Sequence, residues 1–343
     1  MIILTIAIPT YNRPDRIKNT ISRLLPQLTP QVRIMVLDNC SNVNVKDHLK
    51  EQIGGNVLDK VEVIRHRVNI GGDANFQRCF ELCDTPYIWM LGDDDQIEEN
   101  AVTLILEELN NFKDQDLIGI NFNSNCCKAE RKAAVIIRGT KELAEKLDYF
   151  GNWLFISTSV YKTEEYLKHI RYQAWGAYSM ASQLVPPMIA ISNNKTFILS
   201  EKYIVSNVPQ DLDKKWSDFQ ISLSITTLLE APVGFTKDDY KKFGRKLKHQ
   251  FVFLGEVIYS IIKSVNFNID LIDDYHIHIF SQIYNRTIEF RDNKIKQKLI
   301  FYGWLFFLKN KFLLKALWIF VPHLRKRAKN SIFFHLFARY SAH

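Results

Sequence analysis

The chain has 343 residues, of which 47% are hydrophobic and 24% are charged, which indicates a globular protein with a large core and excludes a disordered chain. Its five cysteines form no CxxC pair, so neither a disulfide framework nor a zinc ribbon is expected, and a reducing cytoplasm is the simplest compartment. The net charge of +8 is uneven, because residues 1–230 carry 25 basic against 29 acidic residues and residues 231–343 carry 20 against 8.

Apolar runs alternate with helical patterns in the first third of the chain. The apolar runs predict the strands Ile2–Ile8, Val32–Leu37, Val61–Arg65, Tyr87–Leu91 and Leu117–Phe122. Helical spacing predicts a helix that Asp15 caps and that ends at Leu25, and another from Ala74 to Cys83. No signal peptide is expected, because no basic segment precedes the first apolar run. The alternation predicts a mostly parallel, doubly wound (Rossmann-like) α/β sheet.

Polar residues follow three of these predicted strands. Pro9–Pro14 (PTYNRP) comes after the first strand, Asp38–Asn42 (DNCSN) after the second and Asp93–Asp95 (DDD) after the fourth. The carboxyl ends of parallel strands share one edge of a sheet, so we expect these turns to converge on one site. Three adjacent carboxylates repel one another unless a cation lies among them, and Mg²⁺ or Mn²⁺ shared with substrate phosphates suits such oxygen ligands. The alternative is a polar turn in which Asp94 or Asp95 caps a helix that begins near residue 98.

Four segments share the order and spacing of a known family: Ile8–Arg13 (IPTYNR), Val36–Ser41 (VLDNCS), Asn69–Asn75 (NIGGDAN) and Leu91–Asp95 (LGDDD). Together they resemble the motifs of the family 2 glycosyltransferases of the GT-A fold, of the bacterial surface-polysaccharide type. The resemblance covers the N-terminal part of the chain and weakens beyond Phe122. It implies transfer of a sugar from a nucleotide-diphosphate sugar to an acceptor, assisted by Mn²⁺ or Mg²⁺, with a UDP-sugar as the expected donor.

The resemblance implies a role for individual residues in binding the donor. Tyr11 matches the aromatic residue that packs on the nucleotide base, and Thr10 lines the base and ribose, although Tyr11 would alternatively be a core residue. Asp38 matches the acid that accepts a hydrogen bond from the base, and an Asx-turn is an alternative or additional role. Asn75 matches the asparagine that lines the donor cleft. The implied nucleotide-sugar site consists of Pro9, Thr10, Tyr11, Asn12, Asp38, Asn75, Asp93 and Asp94.

The acidic triplet departs from the family's usual Leu-Asp-x-Asp-Asp pattern. Gly92 stands at the position of the first aspartate if Leu91 is the anchor, and Asp93 then fills the variable position. A shift by one residue instead makes Asp93-x-Asp95 the metal-binding DxD motif. Both alignments stay open, and under both the resemblance favours Asp94 and Asp95 as metal ligands, with Asp93 facing the sugar.

An inverting transfer also needs a general base that deprotonates the acceptor hydroxyl, usually a carboxylate. The predicted strand Trp153–Tyr161 resembles the family's stretch before this base. From Tyr166 to Ser200 there is no Asp or Glu, so we assign the base to Asp211 or Asp213, in a loop-like stretch. The alternative is that this stretch is only a solvated loop.

Three further residues are candidates on the acceptor side. His169 is an alternative general base. Trp175 and Trp216 are either stacking platforms for a sugar acceptor or core residues.

Residues 231–343 are predicted to form a basic, aromatic helical region after a catalytic domain in residues 1–230. Residues 293–343 contain eleven Lys or Arg and no acid. A membrane-spanning helix needs about 20 nearly uncharged residues, and lysines interrupt the apolar stretch here, so no spanning helix is expected. We expect an interfacial element on an anionic membrane, with a helical subdomain packed on the sheet as the alternative.

These patterns predict a cytoplasmic, metal-dependent glycosyltransferase, peripheral on the inner face of the plasma membrane. Its acceptor is expected to be a glycan or a lipid-linked glycan in cell-surface polysaccharide synthesis. Two alternatives are a nucleic-acid-binding protein that uses the basic C-terminal third and a catalytically silent relative that serves as a scaffold. The first alternative leaves the acidic triplet unused, so nucleic acid is not an expected partner.

Overall fold

The computed structural model of the chain describes residues 1–125, 131–176, 181–206, 225–248, 257–258, 261–262, 265, 268–288 and 293–320. The chain divides into two compact units, Met1–Val208 with Pro232–Gly234, and Pro209–Ala231 with Phe235–His343. The boundary predicted from charge, after residue 230, stays a prediction.

A mixed sheet forms the centre of the first unit. The described strands of this unit are β1 (Leu4–Thr10), β2 (Val32–Asp38), β3 (Val61–Arg65), β4 (Tyr87–Met90), β5 (Gln96–Ile97), β6 (Leu117–Asn123), β7 (Val135–Ile137), β8 (Ser159–Lys162), β9 (Thr196–Tyr203) and β10 (Val205–Ser206). Eight of them form one sheet in the order β3-β2-β1-β4-β8-β6-β9-β7, and β5 pairs with β10. The first four strands in this order are parallel, whereas β8 is antiparallel to β4 and β6. The predicted mostly parallel α/β sheet is confirmed.

Helices connect these strands and bury apolar side chains. They are α1 (Pro14–Leu24), α2 (Val45–Ile53), α3 (Gly72–Glu81), α4 (Ala101–Asn111), α5 (Gly139–Lys146), α6 (Phe150–Leu154), α7 (Thr163–Leu167), α8 (Ile170–Trp175) and α9 (Val185–Ser192). Helix α1 shows the pattern, because Ile17, Ile21 and Leu24 recur at helical spacing and are fully buried. They join the core cluster that includes Ile8 and Trp89 from the sheet.

The register of β1 brings two of the polar turns together. Strand β1 is buried along its whole length because β2 and β4 pair with it on either side. It runs two residues beyond the predicted end, so that Thr10 pairs with Asp38 of β2. The polar ends of β1 and β2 are therefore neighbours at the carboxyl edge of the sheet, as the sequence predicts.

Two local predictions and one alternative are wrong. Helix α1 begins at Pro14, so Asp15 lies in its first turn instead of capping it. The stretch predicted as one strand consists of α6, a 3₁₀ turn at Ile156–Thr158 and the short strand β8. No cap forms from the acidic triplet, because β5 intervenes and α4 begins only at Ala101. In the last case the pairing of β5 with β10 directly follows the triplet, and Asn100 is the residue that precedes the helix.

The described part of the second unit is helical, with α10 (Lys237–Lys248), α11 (Asp274–Thr287), α12 (Lys294–Lys309) and α13 (Lys311–Phe320). This agrees with the predicted helical C-terminal region. The unit has a core of its own, in which the Phe301 ring stacks on Tyr284 with ring centroids 3.9 Å apart. In the described residues of the whole chain, no helix is long and apolar enough to cross a membrane.

Candidate active site

The turn after β1 leaves one aromatic ring accessible. Pro9 and Thr10 are buried in the strand, whereas Tyr11 is 38% exposed. Asn12 has a φ of 55°, in the left-handed region, which reverses the chain before α1. Its backbone N–H donates to Ser41 Oγ at 2.8 Å, and its side-chain oxygen accepts from the Asn42 N–H at 2.7 Å. The turn is therefore fixed to the one after β2, and Tyr11 is not a core tyrosine.

Asp38, at the end of β2, is fully buried and holds its own turn together. Its Oδ1 accepts from the Ser41 N–H and its Oδ2 from Arg65 Nη1, both at 2.8 Å. Arg65 Nη2 also donates to the Ser41 carbonyl at 2.7 Å. The structure thus bears out the turn-forming role of Asp38, and Arg65 balances its buried charge. Binding of a nucleotide base by Asp38 stays a prediction.

Asn75 fixes α3 beside the end of β2. It is buried, its side-chain N–H donates to the Leu37 carbonyl at 3.3 Å, and His66 Nε2 lies 2.9 Å from its Oδ1. Asn39 makes the neighbouring link, because its Oδ1 accepts from the Ile70 N–H at 2.9 Å. The second and third motifs are therefore joined by hydrogen bonds.

Asp93 is the most enclosed member of the acidic triplet. Thr10 Oγ1 donates to its Oδ2 at 2.6 Å and Arg13 Nη1 to its Oδ1 at 2.9 Å, while Thr20 Oγ1 donates to its carbonyl at 2.9 Å. Burial raises the pKa of Asp93, and the Arg13 guanidinium and the Thr10 hydroxyl oppose this rise. The first and fourth motifs thus meet at this carboxylate.

Asp94 is partly exposed and accepts from two guanidinium groups. Arg13 Nη1 lies 3.0 Å from its Oδ2 and Arg16 Nη1 lies 2.8 Å from the same atom. The two arginines therefore place positive charge where sequence reasoning expects a metal ion. No local sequence pattern indicates this role for either arginine, although Arg13 lies within the first motif.

Asp95 folds back towards the chain just before it. Ser157 Oγ donates to its Oδ2 at 2.5 Å and accepts from the Gly92 N–H at 2.8 Å. A Cβ atom on residue 92 would lie 2.5 Å from Asp95 Oδ2, so a larger residue there would displace the Asp95 carboxylate from this position. This contact is a physical reason for Gly92 at the position where the family usually has aspartate.

The pKa of Asp95 is raised to about 7, mainly by burial. The Ser157 hydrogen bond lowers it, the carboxylates of Asp94 and Asp93 raise it, and Arg13 lowers it. The triplet therefore contains one carboxyl group that changes its charge near neutral pH. A divalent ion beside it would favour the charged form.

The triplet fits a metal ion that is shared with a ligand better than a site made of protein alone. Among the described residues, no group of three or more His, Cys, Asp or Glu side chains is arranged to hold a metal. Asp94 and Asp95 nevertheless supply the carboxylate oxygens that Mg²⁺ and Mn²⁺ prefer, and Mg²⁺ is commonly held by one or two carboxylates and substrate phosphates. A metal bound there would compete for Asp94 with Arg13 and Arg16.

The predicted general base cannot be placed. Asp211 and Asp213, and with them Trp216, lie outside the described residues. Trp175 is 48% exposed at the end of α8, so it is not a core residue. Ser157, which binds Asp95, was missed as a site residue, because the residues that it contacts are more than 60 positions away in sequence.

Comparison with known proteins agrees with this geometry. In open α/β sheets, ligands bind in the crevice outside the carboxyl ends of the strands, and the polar turns after β1, β2 and β4 lie at that edge. The model of Glycosyl transferase family 2 matches residues 5–171, and this part of the chain belongs to that family. None of the curated proteins matches the sequence significantly.

Solved structures share the fold at low sequence identity. The crystal structure of Staphylococcus aureus TarS 1–349 is 14% identical, with a TM-score of 0.59 over 90% of this chain and 88% of that one. The mannosyltransferase PcManGT from Pyrobaculum calidifontis, in complex with GDP-Man and Mn²⁺, is 9% identical, with a TM-score of 0.53 over 93% and 88%. The same TarS fragment has been solved with UDP-GlcNAc, at 12% identity and a TM-score of 0.56 over 90% and 88%. These similarities define the fold as GT-A.

The exposure of Tyr11 and the burial of Asp38 predict different effects for two alanine variants. Tyr11→Ala should weaken the binding of a nucleoside diphosphate about tenfold and leave the melting temperature unchanged, since stacking on a base contributes about 1–3 kcal/mol. Asp38→Ala should lower the unfolding free energy by about 3 kcal/mol, because Arg65 and the Ser41 N–H lose their partner. Calorimetric titration and urea unfolding measure the two effects. A large loss of stability in Tyr11→Ala would contradict the exposed placement of its ring.

The raised pKa of Asp95 predicts a pH dependence of stability. Between about pH 4, where an unfolded aspartate ionises, and pH 7, the folded state holds a proton that the unfolded state releases, so stability falls as pH rises. In metal-free protein, Asp95→Asn should therefore become more stable relative to wild type by roughly 1–3 kcal/mol between pH 5 and pH 8. Urea unfolding with a chelator present measures this, and Asp114→Asn, at an exposed position, is the control. A constant difference across this pH range would count against the burial of Asp95.

Proposed function

We propose that the protein transfers a sugar from a nucleotide-diphosphate sugar, with UDP as the expected nucleotide, to a glycan or lipid-linked glycan acceptor. The observation that carries this proposal is the convergence of the ends of β1, β2 and β4. Thr10 bonds Asp93, the Asn39 N–H donates to the Thr10 carbonyl at 3.0 Å, and Tyr11 stays exposed beside them. The site offers an aromatic face for a base and charged groups for a diphosphate.

The structures of relatives support the choice of donor. TarS has been crystallised with UDP and with UDP-GlcNAc, and PcManGT with GDP-Man and Mn²⁺. In this chain, Tyr11 would pack on the base, while Pro9, Thr10, Asn12, Asp38 and Asn75 would shape the pocket around base and ribose. A competition titration of UDP against GDP would measure which of the two nucleotides the protein prefers.

Asp94 and Asp95 would hold Mn²⁺ or Mg²⁺. A bound divalent ion neutralises the charge that develops on the leaving nucleoside diphosphate, as a Lewis acid. Arg13 and Arg16 both form ion pairs with Asp94. Once a metal ion also binds that carboxylate, the two arginines would be free to contact a phosphate group. Asp93 is buried and its two carboxylate oxygens accept from Thr10 and Arg13, so it would keep the triplet in place instead of contacting the sugar.

The proposed acceptor and location rest on the charge of the C-terminal region. Residues 231–343 carry twelve more basic than acidic residues, and a positive region of this size favours an anionic membrane surface. We therefore propose a peripheral enzyme on the cytoplasmic face of the plasma membrane that acts in cell-surface polysaccharide synthesis. A lipid-linked acceptor would be presented on that surface.

Metal-dependent nucleotide binding tests the proposed site. Asp94→Ala and Asp95→Ala should each reduce the affinity for a nucleoside diphosphate in the presence of Mn²⁺ by about tenfold or more, because a ligand to the shared metal is lost. Calorimetry with UDP and with GDP, each with and without Mn²⁺, measures the effect. Asp114→Ala, which removes an exposed carboxylate in the turn after α4, should bind as wild type does. Wild-type affinity in both triplet variants would contradict the metal assignment.

The proposed general base is tested by two asparagine variants. If Asp211 or Asp213 accepts the proton of the acceptor hydroxyl, its Asn variant should keep donor binding and lose transfer by a factor of about 10² or more, since only the proton acceptor changes. Sugar transfer and donor titration measured on the same preparation separate the two effects. Full transfer in both variants would assign the base to another residue.

A further inference from the structure

Helix α12 carries apolar side chains on two opposite sides. On one side Phe301 and Leu308 are buried in the core of the second unit, with Ile300, Trp304 and Phe307 packed against that core. This side accounts for the attachment of the helix to its own unit. A helix at a protein surface usually presents polar residues on its other side.

The other side of α12 is an exposed apolar stripe. Ile295, Leu299, Tyr302 and Phe306 follow one another at intervals of four, three and four residues, which places them in one row along the helix. They are 75%, 70%, 62% and 56% exposed, in that order. We call these four residues the α12 stripe. Contiguous exposed apolar surface of this kind marks a site of interaction, whereas single exposed apolar residues do not.

The charges around the α12 stripe have one sign. From Lys294 to Phe320 the sequence contains six lysines and no Asp or Glu. Lys298 and Lys309 are exposed and lie at helical positions next to the row of apolar residues. Lysines on α13 differ, because Lys311 donates to the Asp270 carbonyl and Lys315 forms an ion pair with the Asp270 side chain.

Apolar and aromatic side chains flanked by lysines match the interface of an anionic bilayer. Such a helix lies in the membrane plane with its apolar side among the acyl chains and its lysines at the headgroups. A second copy of the chain is a poorer partner, because a two-fold interface would bring the same lysines of both copies together. The headgroups of an anionic bilayer instead carry the negative charge that pairs with these lysines.

We infer that the α12 stripe is the surface by which the protein docks on an anionic lipid bilayer, with the helix lying in the interface. The inference rests on the peripheral location in the proposed function and names the residues that make the contact. The proposed sugar-donor site lies in the first unit, so the two properties are measured separately.

Co-sedimentation with lipid vesicles tests this docking surface. Full-length protein should bind vesicles of mixed phosphatidylglycerol and phosphatidylcholine, and Leu299→Glu should weaken this binding about tenfold or more, because a carboxylate enters the apolar row. Leu299 is exposed, so the variant should melt as wild type does. Ile136→Glu makes the matched change at an exposed position on β7 and should bind as wild type does.

A second variant separates charge from apolar contact. Lys298→Gln combined with Lys309→Gln should weaken binding to the anionic vesicles at low salt by about tenfold, and added salt should shrink this difference. Wild-type vesicle binding by Leu299→Glu would overturn the inference. So would a wild-type protein that ignores anionic vesicles and forms a dimer that Leu299→Glu converts to a monomer, since the stripe would then be a subunit interface.

Nucleotide titration of the same proteins keeps the two proposals apart. All of these variants should bind UDP with Mn²⁺ as tightly as wild type does. Loss of vesicle binding with intact nucleotide binding supports the docking surface alone. Vesicle binding by a wild-type protein that binds no nucleotide would overturn the proposed donor site and leave the docking surface standing.

Discussion

A buried carboxylate holds the candidate site together. The Asp93 carboxylate joins the chain after β4 to the end of β1 through Thr10 and to the start of α1 through Arg13. Thr20, in the middle of α1, donates to the Asp93 backbone carbonyl. A buried charge of this kind is tolerated only when it is paired and hydrogen-bonded, so these contacts must form together. They fix the turn that carries the exposed ring of Tyr11. The same arrangement places Asp94 within reach of both arginines.

The site is therefore organised by charge compensation within the chain. Arg65 balances Asp38 on one side, and Arg13 with Arg16 balances Asp93 and Asp94 on the other. A diphosphate and a divalent ion bring charges of both signs to such a site, so ligand binding would exchange partners and leave no group unpaired. Gly92 and Ser157 contribute by letting Asp95 fold back against the chain, where burial keeps its proton near neutral pH.

The two compact units contribute different properties. The first contains the sheet and the candidate donor site, in a region that belongs to Glycosyl transferase family 2. The second has its own helical core, and one of its helices presents apolar residues to solvent opposite that core. Helix α12 is apolar on two sides but buries only one of them in the core of its unit. The apolar surface that stays exposed is the physical basis for proposing that this helix binds a partner.

The sequence by itself determined the parallel sheet and the edge at which the site lies. Val61–Arg65 and the start of β2 were correct to the residue, because apolar runs ended by turn residues are local signals. The gathering of the polar turns at one edge followed from the geometry of parallel strands.

Only the tertiary structure decided which side chains meet there. Arg13 and Asp93 are 80 positions apart, and Ser157 and Gly92 are 65 apart, so no local pattern contains these pairs. The failed strand prediction after Trp153 has the same origin. The Ser157 carbonyl accepts from the Trp89 indole N–H, and β8 then pairs with β4 and β6, so partners distant in sequence set where the strand begins. Local signals specify which elements form, and long-range contacts specify which atoms touch.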